Sequence, residues 1–82
     1  SMGPVRFMVY WKKMLTNNQG DAPMRDFDTT IEARAYIRGC VDIITTFDKN
    51  LKTEDQKEKA TVSLLKEFEV KELPYDNTKE QN

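Results

Sequence analysis

The sequence predicts an α+β fold, an N-terminal β-hairpin packed on two helices, and three observations predict it. Residues Val5 to Trp11 alternate strictly, with Val5, Phe7, Val9 and Trp11 on one side and Arg6, Met8, Tyr10 and Lys12 on the other. Period two with aromatic and β-branched residues is the pattern of a half-buried strand. Two later segments, opening at Thr29 and Thr53, begin with helix-capping residues followed by apolar side chains at spacings of three and four.

The first strand can continue to Leu15, where Thr16-Asn17-Asn18-Gln19-Gly20-Asp21 collects residues that favour turns and marks a hairpin tip. The return strand is expected over Ala22 to Phe27. Pro23 inside it predicts an edge position, because proline has no N–H to give to a ladder.

Asp28 or Thr29 then serves as N-cap, and Thr29 with Glu32 forms a capping box. The inward stripe of this helix is expected to be Ala33, Tyr36, Ile37, Cys40 and Ile44, with Arg34 and Arg38 outside. Two endings are open. Gly39 can stop the helix and leave Val41 to Phe47 as a β-branched strand, or the helix can run on to Phe47. The spacing of Ile37, Cys40, Val41, Ile44 and Phe47 shows no phase break, which favours the longer helix.

Asp48-Lys49-Asn50 interrupts the pattern, and Thr53-Glu54-Asp55-Gln56 starts a second helix with acids in its first turn, where they meet the helix dipole favourably. It carries Ala60, Leu64, Leu65 and Phe68 inward, although Phe68 to Leu73 also alternates as a closing strand would. With residues 41–47 and 67–73 as strands the architecture becomes ββαββ. Residues 2–74 are expected to form one domain and residues 75–82 a polar, flexible tail. Ser1 ahead of Met2 reads as the remnant of a cleaved tag, and Met2 as the native start.

Composition narrows the function classes. The formal net charge is -1, and residues 1–47 carry six Lys/Arg against five Asp/Glu, so no general field draws the chain to nucleic acid or to an anionic membrane. No apolar run approaches the roughly 20 residues that cross a bilayer, and no secretory signal is visible, which predicts a soluble, cytoplasmic chain. There is no histidine, which removes the commonest general base and imidazole ligand. The lone Cys40 lies on an apolar helix stripe, where a buried thiol is inert. Asp26 with Asp28, and Glu67 with Glu69, read as surface acids, since no loop of metal-binding length surrounds them. No catalytic residue, metal site or cofactor is expected, and the chain reads as a non-enzyme.

A strand, a polar turn and a second strand lead into F-D-T-x-x-E-A-x-A-Y-I, Phe27 to Ile37. This resembles many small uncharacterised phage and bacterial proteins and, more loosely, the arm-type DNA-binding domain at the N-terminus of tyrosine integrases. The first resemblance implies a phage or mobile-element origin. The second implies DNA binding by a basic three-stranded sheet ahead of the helix; this chain offers two strands there and nearly balanced charge.

The expected function is therefore a small non-catalytic interaction protein that binds a host protein or self-associates as a homodimer, through the hairpin edge or the apolar remainder of the residue 31–47 helix. Two alternatives use one set of residues, Arg6, Tyr10, Lys12 and Arg25 on the hairpin with Arg34 and Arg38 on the helix. One is a nucleic-acid-binding module and the other a binder of a small anionic ligand.

Overall fold

A computed structural model of the chain describes residues 5–15 and 21–74, without the side chains of Met14, Leu15 and Asp21. Its elements run β1 (Arg6–Leu15), β2 (Asp21–Phe27), α1 (Thr30–Phe47), α2 (Glu54–Leu65) and β3 (Phe68–Leu73). The α+β class and the hairpin with two helices are as expected. The order ββααβ differs from the ββαββ alternative in one of its two extra strands: residues 41–47 are helical, while 68–73 form the closing strand. The hairpin tip at residues 16–20 and the tail at 75–82 lie outside the described residues.

The sheet is antiparallel in the order β2-β1-β3, so β1 is central and β2, with Pro23, lies at an edge. Register places Val9 opposite Arg25 and Val70, and Trp11 opposite Ala22 and Phe68. Residues opposite one another share a face. The pairing with β2 slips between Val9 and Tyr10, which leaves Met24 as the extra residue of a bulge. A bulge re-aims side chains, and Met24 turns to pack against the core.

Val9, Ala33, Ile37, Val41 and Phe68 form that core, between the sheet and α1. Of the four residues expected on the covered face, Val9 is fully buried, Phe7 and Trp11 are half-buried, and Val5 is 36% exposed. Val5 precedes the first strand residue, and no ladder partner among the described residues holds it against a helix. The inward stripe of α1 is also rotated from its expected position. Ala33, Ile37, Val41 and Thr45 are buried, Tyr36, Cys40 and Ile44 only half so, and Phe47 is 78% exposed. Thr45 tolerates burial because its hydroxyl donates to the Val41 carbonyl at 3.0 Å.

Thr29 caps α1 as expected, its Oγ1 accepting from the Glu32 N–H at 3.1 Å. The reciprocal arm differs, since the Glu32 carboxylate accepts from the Thr29 hydroxyl at 2.9 Å and not from the Thr29 backbone. The complete box belongs to α2, where Gln56 Oε1 accepts from the Thr53 N–H at 3.1 Å while Thr53 Oγ1 accepts from Gln56. Asp48 ends α1, and its carboxylate accepts from the Asn50 N–H at 2.9 Å to turn the chain.

Gly39 sits inside α1 with an ordinary helical φ, and a Cβ there would meet nothing within 4 Å. It costs about 1 kcal/mol relative to alanine. Helix α2 packs chiefly on α1 and contains no fully buried residue. Ala60 and Leu64 are half-buried and Leu65 is exposed, so the expected inward set of this helix is correct in direction and shallower in depth. Phe68 leaves the helix pattern altogether and enters β3. No helix among the described residues is long and apolar enough to cross a membrane.

Candidate functional site: the open face of the sheet

Alternation in β1 sends Phe7, Val9 and Trp11 towards α1 and leaves Arg6, Met8, Tyr10 and Lys12 on the opposite face. The register adds Asp26 and Pro23 from β2, and Glu69, Lys71 and Leu73 from β3. No helix among the described residues covers this face, because α1 lies against the other side and α2 lies against α1.

At one end Arg6 binds two carboxylates. Its Nε donates to Asp26 Oδ2 at 2.9 Å, and its Nη1 donates to Asp28. The paired acids Asp26 and Asp28 are thus a clamp on one guanidinium. The hydrogen bond from Arg6 holds the Asp26 carboxyl below its ordinary value, against a smaller opposing effect of desolvation. The same bond holds the Arg6 guanidinium above its own. At the centre, Lys71 Nζ lies 4.9 Å from the centroid of the Tyr10 ring, a distance at which a cation is attracted to the ring face. Half-buried Met8 and Leu73 lie beside these groups.

The clamp carries a pH prediction. A carboxylate with a lowered folded-state pKa binds fewer protons than its unfolded counterpart, so its stabilisation is complete above the ordinary carboxylate range and is lost as pH falls through the lowered value. In Arg6→Gln the Asp26 titration, followed by NMR of its side-chain carboxyl, should move up towards the ordinary range, and the acid limb of the stability curve should flatten. An unmoved Asp26 titration would refute the clamp.

The six residues expected to act together divide between the two sides of the sheet. Arg6, Tyr10 and Lys12 share the open face. Arg25 stands opposite Val9, on the helix-bearing side, with its guanidinium 5.3 Å from the Phe27 ring. Arg34 and Arg38 are exposed on α1, and Arg38 pairs with Asp42 at 3.2 Å. The basic residues therefore form no continuous patch, and two of them face carboxylates of this chain. Lys71 was absent from the expected set because its place beside Tyr10 depends on a strand pairing across most of the sequence.

The concave features are elsewhere. A groove of about 480 Å³ lies at the Trp11 end, lined in part by Lys13, Ile44, Leu51, Leu64 and Glu67. Trp11 Nε1 donates to Glu67 Oε1 there at 3.3 Å, and Lys13 lies 3.9 Å from the same carboxylate. Of the six expected residues only Arg38 lines a described groove, together with Glu54 and Glu58. Tyr36 packs against Phe27, with ring centroids 5.2 Å apart. Burial pushes its phenol up, Cys40 adds to that, and Arg25 opposes it.

Compared with protein-family models, with curated proteins and with solved structures, the chain matches none.

Proposed function

We propose that this chain is a small non-catalytic interaction protein, acting in the reducing cytoplasm by binding a partner protein or a second copy of itself. If it derives from a phage or mobile element, the partner is a host protein. One observation carries the reading: among the described residues the sheet has a face without a helix over it, on which Met8, Tyr10 and Leu73 lie among charges of both signs. Arg6, Lys12 and Lys71 stand there against Asp26 and Glu69. Protein interfaces join apolar anchors to a mixed polar rim in this way, with Tyr, Met and Arg enriched. A phosphate backbone calls instead for an unopposed row of cations, and a small anion for cations that converge. The split of Arg25, Arg34 and Arg38 from Arg6, Tyr10 and Lys12 speaks against both of those uses.

The test compares the wild-type chain with a Met8→Glu/Tyr10→Asp variant as bait for lysate proteins, next to a titration of labelled duplex and single-stranded nucleic acid. A partner captured by the wild type and lost by the variant, re-bound as purified protein with micromolar affinity, is the expected result. Nucleic-acid binding that is submicromolar at about 200 mM salt as well as at about 50 mM would replace this reading, since weak non-specific binding decays over that range.

A further inference from the structure

Helix α1 has apolar residues on two sides. Opposite its buried stripe, Ile31, Ala35, Gly39, Ile43 and Phe47 recur at intervals of four along the whole helix. Ile31, Ile43 and Phe47 are 77%, 62% and 78% exposed, three of the most exposed large apolar side chains among the described residues. The glycine at the middle of this ridge is unexplained among the described residues, where neither its backbone angles nor its surroundings exclude a side chain. A missing Cβ on an exposed helix face allows another backbone to come close.

We infer that a second copy of this chain covers the ridge, with the two α1 helices antiparallel and crossing at Gly39. This rests on the self-association half of the function proposed above and names its surface. The ridge is complementary to itself about that point. A two-fold axis at Gly39 sets Ala35 opposite Ile43 of the other copy, small against large, and Ile31 opposite Phe47. Each surface patch meets its own counterpart, as a closed two-fold dimer requires. Ridges at intervals of four pack into the matching grooves at a crossing angle of about -50°, so contact concentrates around the crossing residue.

Charge agrees with the same axis. Arg38 and Asp42 lie on one flank of the ridge, already paired within the chain at 3.2 Å. In the antiparallel pair the two copies' flanks run side by side, and Arg38 of each comes within one turn of Asp42 of the other. Area also fits. The three exposed large side chains offer on the order of 400 Å² per copy, about half the ~800 Å² per partner of a standard stable interface. Next to Arg38 a groove of about 500 Å³, lined by Glu54, Lys57 and Glu58 as well as Val62 and Leu65 of α2, gives the ridge a mixed polar border.

The test measures mass by light scattering from micromolar to millimolar concentration for the wild type, Gly39→Leu and Ile43→Glu, with circular dichroism as the control for fold. Both substitutions fall on exposed positions, and a Cβ at residue 39 meets nothing within 4 Å. The wild type should be a dimer, and each variant should retain its helix content while its dissociation constant rises about 100-fold or more, the scale of an interface hot spot. Should Gly39→Leu disturb the helix, Ile43→Glu decides alone. A wild-type dimer that both variants preserve would overturn the α1 interface and leave self-association standing on another surface. A wild-type monomer throughout would overturn the interface and self-association together, leaving the partner-protein reading to its own test.

Discussion

Val9→Asp should unfold this chain, whereas Tyr10→Asp, one residue further along the same strand, should leave it folded. Val9 has no exposed surface and lies in the middle of the central strand, beneath Ala33, Ile37 and Val41. A carboxylate there has no partner among the apolar side chains around it, and burying an unpaired charge costs several kcal/mol. So small a core has little to set against that loss, since whole domains are stable by only about 5–15 kcal/mol. Tyr10→Asp faces the other way and forfeits the contact with Lys71, worth about 0.5–1 kcal/mol at such a site. Urea unfolding followed by circular dichroism and Trp11 fluorescence separates the two. Equal losses would mean that the two faces are not distinguished as described.

The second large effect is expected at Phe68. Its ring is 8% exposed and stacks on Trp11, with centroids 5.5 Å apart and planes 6° from parallel. Phe68→Ala removes an aromatic from the point where β3 meets β1 and should cost about 3–5 kcal/mol. Trp11→Ala should cost less, about 2–3 kcal/mol, because the indole is half-buried and part of its area is already in water. A double-mutant cycle with leucine at both positions keeps the proteins folded and should return a coupling of about 0.5–1.5 kcal/mol. Additive losses would show that the stacked pair contributes only its separate burial.

The parts of this architecture legible in the sequence are those fixed over a few residues. Thr29 and Thr53 announce helix starts because capping joins residues three apart, and the two faces of β1 follow from period two. Gly39 and the β-branched run Val41 to Thr46 argued locally for a strand; the helix continues because Ile37, Val41 and Thr45 stay in phase against the sheet, and packing outweighs propensity. Phe68 to Leu73 was undecided for the opposite reason, since its ladder partner lies in β1, more than 50 residues earlier.

The site divides in the same way. Arg6, Tyr10 and Lys12 could be put on one face from alternation alone. Placing Asp26 against Arg6 required the cross-strand register, and placing Arg25 on the far side required the bulge at Met24. The α1 ridge was partly visible as the apolar remainder of a helix. Spacing placed the core side correctly at Ala33 and Ile37 but set its centre towards Tyr36, Cys40 and Ile44, because Ile31 to Phe47 and Ala33 to Thr45 both repeat every four residues.

The central place of β1 has a consequence for synthesis on the ribosome. β2 follows at once and occupies one edge, but β3, which closes the other, is separated from Leu15 by more than 50 residues. At about 5–20 residues per second the nascent chain spends roughly 3–10 s with the second edge of β1 open. During that interval Trp11 lacks Phe68, and Met8, Val9 and Tyr10 present unpaired backbone to any neighbouring nascent copy. Lys12 and Lys13, at the far end of the strand, are the charges that oppose such pairing. A polysome crowded with this message would therefore be most prone to misassembly before residue 68 emerges.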